Sequence, residues 1–429
     1  MLKALASFTL ICATLQAQVA RIAADETNSE AATSAAASVN PVIEWNRTLL
    51  VIVRTAGAQP ATIHPTRSFA VLHTAIYDAV NNINGTFTPY VVRLPDVSRN
   101  ASQRAAADQA AHDVLVSLYP AFQSALDTEL QTDLAAIADG TNKTDGITVG
   151  QAVAAEILAI RSNDGSGATL PTYVPINKPG FYQLTPPNFA PADFTQWPDV
   201  VPFAITRADE FLPAPPPGLK SVEYTNVFNL TKNLGEAGSN DRTPDQTEIG
   251  LFWNGKIWNY WNEIAQTSAL DHALNLEESA RLFALLNISL ADSAIAFYQA
   301  KYFYQFWRPV TAILDAGTDG NPNTIPNPAW LPLTTTTAPD PAYPAAHSTI
   351  AKAAATVLKF YFGDQFSFNV TSETMPGVKR HFASFSAAAQ EASLSRIYAG
   401  QHFLSDVNAG KQLGADVAKS VVDTTLLPQ

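Results

Sequence analysis

Three short blocks near the C-terminus hold residue types that could act together: Lys301-x6-Arg308-Pro309, Pro344-Ala345-Ala346-His347, and Ser395-Arg396-x5-His402-x3-Asp406. They gather three cations and two imidazoles, a set suited to a tetrahedral oxyanion such as phosphate or vanadate. An oxyanion needs several donors at fixed angles, and one planar guanidinium offers two parallel ones to a pair of oxygens. His402 and Asp406 are four apart and can share a helix face. There a carboxylate on one ring nitrogen fixes the tautomer and makes the other nitrogen a better nucleophile or metal ligand. In isolation such a pair is usually a helix-surface contact; Arg396, six residues upstream across Gly400, argues for chemistry here.

His347 follows a proline and precedes Ser348-Thr349, which places it at a loop-to-helix junction. Free backbone N–H groups and the helix dipole favour an anion there, and an imidazole can serve as general acid or base. Alone, it would read as a satisfied loop histidine. Lys301 and Arg308 lie two helical turns apart and point the same way if the helix runs through residues 302–307. Pro309 disfavours helix at Arg308, which sets the guanidinium at a helix end facing a cavity. The ordinary alternative is a wet cationic face, but the intervening Tyr302-Phe303-Tyr304-Gln305-Phe306-Trp307 is too aromatic for one, and at least half of those rings are expected in the core. His64, His73, His112, His272 and His381 lack such neighbours at useful spacing and read as structural.

Helices must position these groups. Apolar residues recur at helical spacing over 42–55, from a cap at Thr66 through Val80, and over 101–118, 148–161, 247–265, 277–307, 348–362, 382–398 and 402–422. Period-two alternation is scarce. The expected fold is all-α, without substantial sheet, and with Pro-rich loops over 171–217 and 321–344. A soft boundary near Asn240 divides an N-terminal helical half, 41–240, from a C-terminal half, 241–429, that carries the oxyanion blocks.

With 429 residues, 47% apolar and 15% charged, the chain is long and apolar enough for a large core and is not disordered. A net charge of −12 and a pI near 5.0 argue against nucleic acid or an anionic membrane as partner, so its clustered cations are local devices. Residues 1–20 read as an export signal, with Lys3 ahead of an apolar run from Ala4 to Leu15 and cleavage between Ala17 and roughly Ala24. Residues 21–40 read as a flexible Ala/Ser/Thr/Glu leader. No later segment of ~18 uncharged apolar residues follows, so a soluble secreted protein is expected. Seven Asn-x-Ser/Thr sequons, at Asn46, Asn84, Asn100, Asn142, Asn229, Asn287 and Asn369, favour an N-glycosylated one. Cys12, inside the signal, is the sole cysteine, which removes disulfides, thiolate metal sites and cysteine nucleophiles from the mature chain.

The three blocks resemble the signature shared by vanadium-dependent haloperoxidases and the type 2 phosphatidic acid phosphatase superfamily: Lys-x6-Arg-Pro, Pro-Ser-Gly-His and Ser-Arg-x5-His-x3-Asp. The first and third blocks match throughout; Ala345 and Ala346 replace the Ser and Gly of the second. The segments from Pro65 to Val80, Arg207 to Pro217 and Arg242 to Trp253 are similar to the haloperoxidase-like branch. This resemblance implies the helical bundles of that fold and vanadate as cofactor, with phosphate competing. Lys301, Arg308, Ala346, Ser395 and Arg396 would bind the oxyanion, His402 would be its metal ligand oriented by Asp406, and His347 would be the acid–base group. The implied reaction is peroxide-dependent halide oxidation and halogenation of a small organic substrate. The phosphatase branch implies instead a phosphohistidine at His402, with His347 protonating the leaving oxygen. A redox-neutral biosynthetic enzyme and a non-catalytic oxyanion binder also stay open. Ala345 lacks the serine hydroxyl, and the Ala346 methyl disfavours φ > 0 where glycine would not. Tyr298 stands where the family has tryptophan, and Asp340 where it has an aromatic or a histidine. A carboxylate there repels halide unless protonated or paired, which favours bromide or iodide over chloride.

Overall fold

In the computed structural model, residues 40–429 are described; the expected export signal and nearly all of the leader lie outside them. The described chain forms two compact units, one of residues 40–163, 273–284 and 426–429 and one of 164–272 and 285–425. The expected boundary near Asn240 is not where they divide. The Pro-rich 171–217 segment is built into the second unit and does not act as a linker.

The first unit contains α1 (Pro41–Arg54), α2 (Pro65–Asn84), α3 (Gln103–Leu118), α4 (Gln123–Ala135) and α5 (Thr141–Arg161). Its caps follow from local chemistry. Asn40 accepts from the Val42 amide ahead of Pro41, and the cap of α2 is His64 and not Thr66, its ring accepting from the Thr66 amide. Helix α4 was not expected because only Leu126 and Leu130 in it are buried. Helix α5 lies close on α3, since a Cβ at Gly150 would stand 2.5 Å from the Ala106 carbonyl oxygen. His73, wholly buried, bonds Asn46 through Nε2, and burial lowers its pKa to about 3, in keeping with a structural role.

The second unit holds α6 (Val222–Gly235), α7 (Pro244–Phe252), α8 (Ile257–Asp271), most of α9 (Leu276–Tyr304), α10 (Pro309–Leu314), α11 (Ala346–Phe362), α12 (Phe385–Tyr398) and α13 (Leu404–Thr424). One antiparallel pair, β1 (Phe368–Thr371) and β2 (Lys379–Phe382), takes Phe382, the first residue of the expected 382–398 helix, and leaves the all-α class intact. Helix α9 is apolar enough over one 18-residue stretch to cross a membrane by composition, but that stretch is wholly buried. It also contains Asp292, whose carboxylate accepts from the amides of Phe203, Ala204 and Ile205. Two sequon asparagines are inaccessible: Asn46 and Asn287 are 0% exposed, Asn46 on His73 and Asn287 in a reciprocal amide pair with Asn262. Those at Asn100, Asn142 and Asn369 are exposed.

Candidate functional site

Two departures from the expected helices shape the site. Helix α9 stops at Tyr304 and does not run to Trp307, because Gln305 takes φ +51° and Pro309 holds Arg308 extended at φ −80°, ψ 153°. Lys301 and Arg308 therefore do not share a helix face. Segment 305–307 pairs with 180–182, the Tyr182 amide donating to Gln305 O at 2.7 Å and the Trp307 amide to Gly180 O at 3.0 Å. Ala342 N donates to Phe306 O at 2.8 Å, which ties in the loop bearing Asp340. Of the aromatic run, Phe306 and Trp307 enter the core and Phe303 faces outward at 61% exposure. The expected helix over 247–265 is likewise broken at 253–256, and the break delivers Asn254 and the Gly255 carbonyl to the site.

Lys301 and Arg308 converge on Asp340. Lys301 Nζ donates to Asp340 Oδ1 at 3.0 Å and also to the Pro341 carbonyl. Arg308 donates through Nη2 to Asp340 Oδ1 and through Nε to the Asp340 carbonyl at 2.8 Å. All three residues are at most 5% exposed. Burial alone would raise the Asp340 carboxyl, but the two cations outweigh it and hold the group below the ordinary carboxylate range. Burial pulls Lys301 down to about 8 against the help of Asp340.

His402 sits immediately ahead of α13, after Gly400 at φ +75° has ended α12. Its Nε2 is 3.0 Å from Arg308 Nη1, and because a guanidinium only donates, Nε2 must carry the lone pair. The proton then lies on Nδ1, which is 3.4 Å from Asp406 Oδ2 without the alignment of a hydrogen bond. Burial, then Arg308, Lys301 and Arg396, keep His402 well below its usual pKa, so the ring is neutral. Asp406 caps α13 through the Phe403 amide at 2.9 Å, and burial lifts its carboxyl to about 7. The pair is thus a neutral imidazole steered by a carboxyl group, and not an ion pair.

Arg396 ends α12, 6% exposed, with Nη1 3.3 Å from Asn254 Oδ1 and its buried Nε without a partner. Burial and the neighbouring Arg308 lower its pKa to about 9, the mark of a cation lacking a counter-ion. His347 occupies the first turn of α11, its Nε2 3.2 Å from the Gly255 carbonyl, and is neutral through burial and Arg396. Ala346 opens α11, and Ala345 N is spent on the Asp406 carbonyl at 3.0 Å. Ser395, expected among the oxyanion ligands, instead gives its hydroxyl to Ala392 O at 2.7 Å inside α12. Sequence reasoning missed Asp193, Tyr182, Asn254, Gly255 and Gln401. Asp193 is lifted by burial and then by Asp340 to about 8, and the wholly buried Tyr182 hydroxyl has no partner. Only Asn254-Gly255 carried a signal, a turn dipeptide inside an otherwise helical pattern.

An orphaned cation at Arg396, N–H donors on every charged arm and one imidazole lone pair fit an oxyanion held at His402. Among the described residues, no group of three or more His, Cys, Asp or Glu is disposed to hold a bare metal ion.

Comparisons with known proteins agree with this architecture. Residues 281–427 match the family model of the VCPO second helical-bundle domain. The chain is 26% identical to the vanadium chloroperoxidase of Curvularia inaequalis over 88% of its own length and 80% of that protein. Its fold is similar to that of a bacterial vanadium-dependent iodoperoxidase, with TM-score 0.79, 22% identity, and 93% of this chain and 99% of that one covered. It is also similar to a bacterial vanadium-dependent chloroperoxidase in its apo form, with TM-score 0.66, 17% identity, and 86% and 95% covered.

Proposed function

Because the chain belongs to the vanadium haloperoxidase superfamily, we propose that it is a vanadate-dependent haloperoxidase-like enzyme that uses hydrogen peroxide to oxidise bromide or iodide and halogenate a small organic substrate. One observation carries this reading: the Nε2 lone pair of buried, neutral His402 faces Arg308, in the field of Lys301, Arg308 and Arg396. Vanadate held there would supply Lewis-acid activation of peroxide without changing oxidation state.

The chain's own residues do the rest. Lys301, Arg308 and Arg396 neutralise the oxyanion oxygens, with the α11 N-terminus at Ala346 adding its dipole. His402 Nε2, which accepts from Arg308, would supply the nitrogen ligand, with its Nδ1 on the side of Asp406. His347, neutral at the head of α11, would serve as the acid–base group beside the bound oxyanion, accepting a proton and giving it back. Pairing with Lys301 and Arg308 removes the repulsion that a free Asp340 carboxylate would exert on a halide, so the preference for bromide or iodide over chloride rests on buried Tyr298, which stands where the family has tryptophan. The expected export signal and the exposed sequons at Asn100, Asn142 and Asn369 support a secreted glycoprotein.

The test compares vanadate-loaded and metal-free protein in peroxide-dependent iodide oxidation and bromination, alongside hydrolysis of a chromogenic phosphate ester. Halide oxidation is expected only in the loaded protein, falling at least ~10²-fold in His402→Ala. Loaded protein inert to every halide, with metal-free protein that hydrolyses the ester, would assign the phosphatase chemistry instead.

A further inference from the structure

Asp340 is a buried anion that takes donors of both Lys301 and Arg308. Lys301 has three N–H donors, of which Asp340 Oδ1 and the Pro341 carbonyl take two. Arg308 has five, of which the Asp340 carbonyl, Asp340 Oδ1, Gln401 O and His402 Nε2 take four. One donor is left on each cation, and release of the carboxylate would free one more on each. The pairing also favours an incoming anion, since Lys301 and Arg308 share one carboxylate, Asp340, and buried Arg396 has no ion pair of its own. A released carboxylate has a neutral donor at hand: the buried, unpartnered Tyr182 hydroxyl is within the fields of Asp340 and Arg308.

We propose that Asp340 is a specificity-determining residue, a built-in carboxylate that holds Lys301 and Arg308 and yields them only to an anion with enough oxygens to satisfy both. A halide ion accepts at one point and cannot replace a hydrogen-bonded carboxylate on two cations. A tetrahedral oxyanion can, and it gains Arg396 and His402 besides. Binding affinity is thereby set below what the bare cations would give, and selectivity for oxyanions over halides is gained. The inference rests on the oxyanion reading above.

The experiment measures binding of inorganic phosphate and of vanadate, by calorimetry, to wild-type protein, Asp340→Asn and Arg396→Ala, with chloride and bromide as competitors. Folding is checked by far-UV circular dichroism. Asp340→Asn is expected to bind both oxyanions at least ~10-fold more tightly than wild type and to become sensitive to halide competition. A crystal structure of wild type with phosphate bound, which needs no variant to fold, should place the Asp340 carboxylate away from both cations. Unchanged or weaker binding by folded Asp340→Asn, or a phosphate complex in which Asp340 keeps both hydrogen bonds, overturns the proposal while leaving the oxyanion site standing. Absence of binding to wild type and Asp340→Asn alike, with Arg396→Ala no different, overturns the site reading and this proposal together.

Discussion

At the scale of single residues, the site's behaviour follows from placing three cations where water cannot reach them. Burial lowers Lys301 to about 8 and Arg396 to about 9. Lys301 is a depressed cation that can lose its proton in this range, whereas a guanidinium stays charged, so the empty site keeps its full charge below about pH 8 and loses the Lys301 charge as pH rises through that value. Oxyanion affinity should therefore be highest below pH 8 and fall above it. Sulfate, whose charge is constant over this range, is the probe: its dissociation constant should climb between about pH 8 and about pH 10. A flat profile would contradict the assignment. Lys301, Arg308, Arg396, His402 and Asp406 were singled out in sequence by residue type and spacing, but Lys301 and Arg308 meet through a helix end and an extended Arg308 and not on one helix face. The role of Asp340 was not legible, since it comes from a loop 32 residues beyond Arg308 and its pairing needs the tertiary fold.

At the scale of elements, the α11–α13 contact holds the two histidines in register. A Cβ at Gly414 would lie 2.0 Å from the Thr349 carbonyl oxygen, and one at Gly410 2.5 Å from that of Ala345. The helix backbones thus touch where α11 begins at Ala346 and α13 follows His402. Gly414→Ala should cost about 1–3 kcal/mol or more through backbone displacement, and Gly238→Ala, with nothing within 4 Å, should cost far less. Thermal melts of both variants check this; equal melting temperatures would contradict the close packing. Apolar periodicity revealed most helices but not their ends. The breaks at Gln305 and at Asn254-Gly255 lie inside uninterrupted apolar patterns, where backbone dihedrals and not hydrophobicity decide. Helix α6 did carry the pattern, with Tyr224, Val227, Phe228 and Thr231 buried at helical spacing, directly after a Pro-rich run that masked it.

At the scale of the whole molecule, the first unit carries a buried acidic cluster of its own. Burial raises Asp108 to about 7, with Asp133 adding to it, and raises Glu129 to about 8. Carboxyls raised in the fold bind protons more tightly there than in the unfolded chain. Their stabilisation is complete below the unfolded carboxylate range and is lost as pH climbs through 7 and 8. Urea melts should show a first unit more stable at about pH 5 than at about pH 8, by a few kcal/mol, with Asp108→Asn flattening the slope. A slope of the opposite sign would contradict it. Fold class was readable from period and composition, whereas the division into units was not. Residues 273–284 and 426–429 return to a unit built mainly from 40–163, a long-range closure that no local pattern encodes.

The most direct test of the central claim is vanadium NMR of the protein titrated with vanadate, comparing wild type with His402→Ala. If the lone pair on His402 Nε2 is the ligand, wild type gives a protein-bound resonance distinct from free vanadate, displaced by phosphate and lost in the variant. A bound resonance unchanged in His402→Ala would contradict the account.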